Sequence, residues 1–319
     1  MKIAVVGCGA VGSYYGAKLA RAGNDVHFLL RSDYETVRRN GVSIRSPQGD
    51  FQVRPRCART SQEIGPSELV LIGLKTTANE QFARLLPPLV DSRTAVMTLQ
   101  NGLGNEEQLA RMFPVEQVMG GLCFVCLNRI EPGVIHHMDH GLVMLGEFQR
   151  WPEPRTHDIA GMFRHAGIPC KVAANLAQAH WEKLVWNIPF NGLGVAGVAG
   201  LDALMGASSF SASSSILTTD KLLGDPRWEK LVREVMLEVI GAARALGYDV
   251  PDSLADKQIE RTRTMGAYKA STLLDFEKGL PLELESLFLE PLRQAKKAGA
   301  SVPRLERLCR VLEKLNPGK

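Results

Sequence analysis

Short apolar runs alternate with amphipathic stretches through the first half of the chain, and helical periodicity takes over in the second. Lys2-Ile3-Ala4-Val5-Val6 predicts a buried strand; residues 13–22 predict a helix after a glycine-rich turn. Residues 25–30 predict a second strand, closed by Arg31. Residues 42–46 and 51–55 flank Pro47-Gln48-Gly49-Asp50 and predict a hairpin. Residues 68–73 and 95–99 are further buried strands, with a helix expected from about Asn79. Strands alternating with helices, and polar loops following the strands, predict an α/β fold built on a doubly wound sheet.

From about residue 173 the expected elements are all helices. Residues 178–187 begin a long helix that Pro189 is expected to kink or interrupt. Residues 226–246 are amphipathic, with Leu231, Val235, Val239 and Ala242 at helical spacing. Residues 264–277 and 284–298 predict two more helices, split by Gly279 and Pro281, and Pro291 weighs against continuity in the second. A final helix is expected over 304–315, and the serine-rich stretch 208–215 reads as a connection between helices. The expected organisation is a sheet domain over 1–172 and an all-helical C-terminal domain over 173–319.

Composition narrows the classes of function. A chain of 319 residues accommodates two domains, and 45% hydrophobic with 23% charged residues describes an ordinary globular protein. The net charge of +4 comes without a lysine/arginine block, which argues against nucleic acid and leaves an anionic small molecule as the expected partner. The first strand begins at Lys2 and no stretch is long and apolar enough for a membrane, so a cytoplasmic protein is expected. Cys123-Phe124-Val125-Cys126 lies in an apolar strand-like run and reads as structural. His136 and His137, adjacent in a strand-like segment, should point to opposite faces, so no metal site is expected.

The chemistry starts at Gly7-Cys8-Gly9-Ala10-Val11-Gly12, a GxGxxG run placed between a strand and a helix. This is the dinucleotide-binding fingerprint in its required context, and it makes the expected sheet Rossmann-type. Gly7 permits the tight turn, Gly9 lets backbone approach a pyrophosphate, and Gly12 lets helix and strand pack closely. The second strand ends in Leu30-Arg31-Ser32 with no carboxylate before Asp33. Arg31 there favours a 2′-phosphate, so NADP(H) is the expected cofactor. Arg31, Lys75 and Asn101 all follow predicted strands, where such sheets bind ligands. Lys75 is thus a candidate contact, or else a surface lysine.

Carbonyl reduction needs an acid for the oxygen and polar groups to orient the substrate. Lys183, Asn187 and Asn191 are four apart and share one helix face, beside Trp181 and Trp186. A partly desolvated Lys183 is a candidate acid; the alternative is a polar stripe facing solvent. Ser271 is a candidate for holding a carboxylate and Glu283 for pairing with Lys183, or both are helix caps.

Taken in order, these motifs resemble the ketopantoate reductase (2-dehydropantoate 2-reductase) family nearly end to end. The resemblance rests on the glycine turn, Arg31, Gly73-Leu74-Lys75, Gln100-Asn101-Gly102, Gly133-Val134-Ile135-His136 running to Gly146-Glu147, Trp181-Glu182-Lys183-Leu184 with Asn187 and Asn191, and Lys269-Ala270-Ser271 through Asp275 to Glu283. It implies NADPH-dependent reduction of 2-dehydropantoate to (R)-pantoate, in the route to pantothenate and coenzyme A. It further implies Lys183 as general acid, Glu283 as the carboxylate organising lysine and substrate, and Asn101, Asn187, Asn191 and Ser271 as substrate-binding positions. Cofactor contacts would come from Gly7 to Gly12, Arg31, Lys75 and Asn101. Leu280, Leu282 and the apolar run after Glu285 depart from common family residues, which leaves another 2-oxo acid open as substrate. A non-catalytic NADPH-binding sensor is the reading from a different class. The expected partners are a small-molecule 2-oxo acid and, as a candidate, a second copy of the chain (a homodimer).

Overall fold

Ile3, Ala4, Val5 and Val6 are all fully buried, and they form an interior strand of the sheet in the computed structural model of the chain, which describes residues 1–205 and 215–317. The serine-rich connection expected at 208–215 lies, except for Ser215, outside the described residues. The chain divides into two compact units, Met1–Ala177 and Gln178–Lys319.

The first unit carries β1 (Lys2–Val6), β2 (Asp25–Leu29), β3 (Val42–Arg45), β4 (Phe51–Val53), β5 (Arg56–Ala58), β6 (Leu69–Ile72), β7 (Ala95–Thr98), β8 (Val118–Glu131), β9 (Val134–Glu147) and β10 (Cys170–Val172). Their order is β4-β3-β9-β8-β7-β6-β1-β2-β5, with β10 added on β9. From β8 to β5 every pairing is parallel. Chain order reverses at β1, which has β6 on one side and β2 on the other. The crevice beyond the carboxyl end of such a strand is where open α/β sheets take ligands. Side chains alternate along β1, so Ile3 and Val5 join one apolar cluster while Ala4 and Val6 join another.

The doubly wound expectation describes this parallel part, but the sheet as a whole is mixed. β8 and β9 are an antiparallel pair of 14 residues each, interrupted by register shifts at Phe124/Val125, Cys126/Leu127 and Arg129/Glu131. Such irregularities bend a strand and re-aim its side chains. β3 adds parallel to β9, and the expected hairpin partner β4 adds antiparallel to β3. The far part of the β8–β9 pair meets the Ala10–Arg21 helix: the Tyr15 hydroxyl donates to the Gly141 carbonyl, and the Tyr14 hydroxyl lies 3.3 Å from His137 Nδ1. His136 is exposed and His137 buried, as adjacent strand residues should be. None of the six cysteines is in a disulfide.

Several helix expectations need correction. Pro189 does not interrupt its helix, which runs unbroken from Leu176 to Ala196. An interior proline costs roughly 3 kcal/mol, and full burial of Ile188, Phe190 and Leu193 offsets it at roughly 1.5–3 kcal/mol each. Residues 264–270 are not helical; the helix begins at Ser271 and ends at Glu277. Thr219 holds the preceding segment instead, donating from its backbone to the Tyr268 carbonyl and from its hydroxyl to the Gly266 carbonyl, and accepting from the Tyr268 N–H. A separate helix, Ser253–Arg263, was not expected. The stretch after Leu284 winds as a π-helical turn, Glu285–Leu289, before the Glu290–Lys297 helix, whose first turn accommodates Pro291. The helix expected near Asn79 is mostly a 3-10 turn, Thr76–Gln81, followed by Phe82–Leu85.

His137 should make the first unit sensitive to acid. Its Nε2 donates to the His140 carbonyl at 3.0 Å, which leaves Nδ1 to accept from Ser46 Oγ at 2.8 Å. Burial, aided by the Lys18 charge, holds its pKa below the ordinary histidine value, outweighing Asp139 and the backbone of Asp139 and His140. A depressed pKa means that the unfolded chain takes up the proton first, so stability is present above the unfolded value and is lost as pH falls through the folded one. The thermal midpoint advantage of the wild type over His137→Gln should therefore shrink between about pH 7.5 and about pH 5. An advantage that stays constant over that range would contradict a neutral buried His137.

Candidate active site

β1 ends at Val6, and the chain turns through Gly7 at φ +94°, a conformation that L side chains rarely adopt. A Cβ on Gly7 would lie 2.3 Å from the Leu74 nitrogen, one on Gly12 2.3 Å from the Gly7 carbonyl oxygen, and one on Gly73 2.9 Å from the Gly12 Cα. Backbone therefore packs on backbone where β1, the following helix and the end of β6 meet. Gly9 is different. It is extended, at φ −74° and ψ −156°, and a Cβ there would meet nothing within 4 Å.

The Ala10–Arg21 helix starts at Gly9 without a side-chain cap and without an acidic residue in its first turn. Open space at Gly9 beside uncapped N–H groups fits the pyrophosphate of a dinucleotide. Cys8, Ala10 and Val11 are half-buried around this turn. The Cys8 thiol points to the Val5 and Leu29 carbonyls at 3.5 and 3.6 Å. Burial pushes its pKa well up, helped by Cys57 and Asp33 and opposed by the Leu29 contact, so it is an un-ionised packing thiol.

Arg31 is exposed one residue beyond the buried Leu30, and its side chain makes no hydrogen bond or ion pair among the described residues. Lys75 is exposed immediately before the Thr76–Gln81 turn. Asn101 is half-buried in a turn whose Gly102 and Gly104 both have positive φ. A chain of side-chain amides ties these loops together. Gln100 Nε2 donates to Asn79 Oδ1 at 2.7 Å, Asn79 Nδ2 to Asn105 Oδ1 at 3.0 Å, and Asn105 Nδ2 to the Asn101 carbonyl at 3.2 Å. Asn79 and Asn105 went unnoticed in the sequence because scattered amides carry no pattern until the fold gathers them.

In the second unit, the unbroken Leu176–Ala196 helix sets Lys183, Asn187 and Asn191 along one face. Lys183 is half-buried, while Asn187 and Asn191 are buried, so the stripe does not face solvent. The Trp186 indole donates to Thr262 Oγ1 at 2.9 Å and its ring lies against Phe190 and Tyr268. Glu283 is buried just ahead of the π-helical turn. Of the apolar residues near Glu283, Leu282, Leu287 and Phe288 are buried, whereas Leu280 is exposed.

Asn191 is the residue whose contacts differ most from a free substrate ligand. Its Oδ1 accepts from the Thr272 N–H at 3.0 Å and from the Ser271 hydroxyl at 3.3 Å, and its Nδ2 donates to the Asn187 carbonyl at 3.0 Å. It thus supplies from another helix the cap that the Ser271–Glu277 helix lacks locally, and brings Ser271 to the Asn187–Asn191 face. Replacing Asn191 by alanine should cost about 1–3 kcal/mol in denaturant unfolding, since a buried N–H loses its acceptor. A loss below about 0.5 kcal/mol would remove the capping role.

Two family models cover the chain: Ketopantoate reductase PanE/ApbA over residues 3–150, and Ketopantoate reductase PanE/ApbA C terminal over residues 175–316. The chain is 38% identical to a 2-dehydropantoate 2-reductase of Nostoc sp., over 99% of its own length and 95% of the relative's. Among solved structures it is similar to 2-dehydropantoate 2-reductase from Geobacter metallireducens GS-15, with a TM-score of 0.90 and 45% identity over 98% of this chain and 99% of that one. The structure of 2-dehydropantoate 2-reductase from Methylococcus capsulatus gives a TM-score of 0.87 and 33% identity over 100% and 98%. Matched by both models over most of its length and by a 38% identical relative over nearly all of it, the chain belongs to the ketopantoate reductase PanE/ApbA family.

Proposed function

We propose that this protein reduces 2-dehydropantoate to (R)-pantoate with NADPH, as a cytoplasmic enzyme on the route to pantothenate and coenzyme A. The observation that carries the reading is the Lys183–Asn187–Asn191 face, a half-buried ammonium in line with two buried amides on one continuous helix. The names of the relatives support the substrate, and Arg31, an exposed cation beyond β2 whose side chain has no hydrogen bond or ion pair among the described residues, supports a cofactor bearing a 2′-phosphate. No helix among the described residues is long and apolar enough to cross a membrane.

The reduced nicotinamide, when bound, supplies a hydride to C2 of the oxo acid. Gly7 to Gly12 and the first helical turn would hold its pyrophosphate, Arg31 its 2′-phosphate, with Lys75 and Asn101 as further contacts. Lys183 donates a proton to the C2 oxygen as negative charge develops there, and takes a replacement proton from water. Glu283 organises the ammonium and the substrate, the Ser271 hydroxyl binds the carboxylate, and Asn187 and Asn101 orient the remaining polar groups. Asn191 contributes to substrate binding by holding Ser271. The buried packing of Leu282, Leu287 and Phe288 gives no reason to prefer a different 2-oxo acid.

Initial rates of NADPH oxidation with 2-dehydropantoate test the reading. The wild type should turn over this substrate better than other 2-oxo acids, and Lys183→Ala should lose roughly 10²–10⁴-fold in kcat with NADPH binding retained. Preference for another 2-oxo acid would move the substrate assignment; near-normal kcat in folded Lys183→Ala would take the acid role from the lysine. NADPH binding without turnover on any 2-oxo acid would favour the sensor instead.

A further inference from the structure

Asp33 stands two residues beyond Arg31, directly before the Tyr34–Asn40 helix, and is 5% exposed. A carboxylate near the end of the second strand is the group that receives the 2′-hydroxyl of NAD, and the same charge repels the 2′-phosphate of NADP. Here the carboxylate is occupied from a distant part of the chain. Arg129 Nη2 lies 2.5 Å from Asp33 Oδ1, and Ser32 Oγ donates to the same oxygen at 2.9 Å. Arg129 comes from β8, at the register shift between Arg129 and Glu131 that re-aims the strand. Its side chain stays 40% exposed over a carboxylate that is 7% exposed, so the pair offers a cation outward and keeps the anion beneath. The Asp33 charge also acts on Cys8, inside the glycine turn, so it lies near enough to bear on an anion held there.

We propose that Arg129 is a specificity-determining residue for the cofactor: by pairing with Asp33 it converts an acidic strand end into a basic one, which favours a dinucleotide with a 2′-phosphate over one with a 2′-hydroxyl. The proposal rests on the NADPH reading above. It assigns the preference to two arginines, Arg31 next to the phosphate and Arg129 through the carboxylate that it covers. Arg129 is thereby a positioning residue that acts through Asp33.

The test is equilibrium titration of the intact protein with NADPH and with NADH, followed by tryptophan fluorescence, so that no turnover is needed. Arg129→Met releases the carboxylate and should lower the NADPH-to-NADH affinity ratio by about tenfold or more at low salt, and by less at high salt. Arg129→Lys should keep most of the ratio, and Asp33→Asn combined with Arg129→Met should restore it. If Arg129→Met does not fold, Arg129→Gln, which removes the charge but keeps a hydrogen-bond donor, should shift the ratio the same way. An unchanged ratio in a folded, uncharged variant would overturn the proposal, as would a double variant no better than the single one. A wild type that prefers NADH would instead show that the cofactor reading itself is wrong, and the proposal would fall with it.

Discussion

Where β1 gives way to the Ala10–Arg21 helix, main chain rests on main chain, and the rest of the first unit is arranged around that contact. A single methyl on Gly7, Gly12 or Gly73 would sit 2.9 Å or less from a backbone atom. Interiors packed at crystal-like density do not absorb such a change without moving their neighbours. The contact holds the helix N-terminus beyond the carboxyl end of β1, at the point where strand order reverses. It also fixes the start of the loop that carries Lys75, two residues after Gly73. Gly9 alone in the motif has neither a positive φ nor a close neighbour, so the folded chain by itself gives no reason for glycine there. The approach of the proposed cofactor would.

The second unit makes its case through buried amides rather than through glycines. Placing Asn187 and Asn191 in an apolar helix is costly unless their polar groups are satisfied. Asn191 spends its carboxamide on Asn187, Ser271 and Thr272, and so locks two helices in one register. The outcome is a fixed polar surface in which Lys183 lies one turn from Asn187. Rigidity of this kind is what the proposed acid, Lys183, would need to be in place when charge develops on a substrate oxygen.

How much of this was legible in the sequence follows from how local each signal is. The glycine turn, β1, β2 and the hairpin of β3 and β4 were readable because strand, turn and helix signals lie within a few residues of each other. The Lys183–Asn187–Asn191 face was readable for the same reason, a spacing of four on one helix. Strand character at 123–126 and around His136 was readable too, but the pairing of β8 with β9 was not, since it is set by register along 14 residues with three shifts. Pro189 misled because a local cost was outweighed by burial of its neighbours, and residues 264–270 misled because Thr219, far away in sequence, holds them out of a helix. The Arg129–Asp33 pair, separated by 96 residues, is invisible to any local pattern.

The most direct test of the account is the affinity of Gly9→Ala for NADPH. The backbone at Gly9 has a negative φ and an added Cβ would meet no protein atom within 4 Å, so the alanine variant should unfold within about 2 °C of the wild type when no cofactor is present. The same side chain would occupy the space left for the pyrophosphate, and NADPH affinity should fall by roughly tenfold or more, which is 1.4 kcal/mol or above. A variant that is equally stable and binds NADPH as tightly as the wild type would show that the turn is not the cofactor's seat.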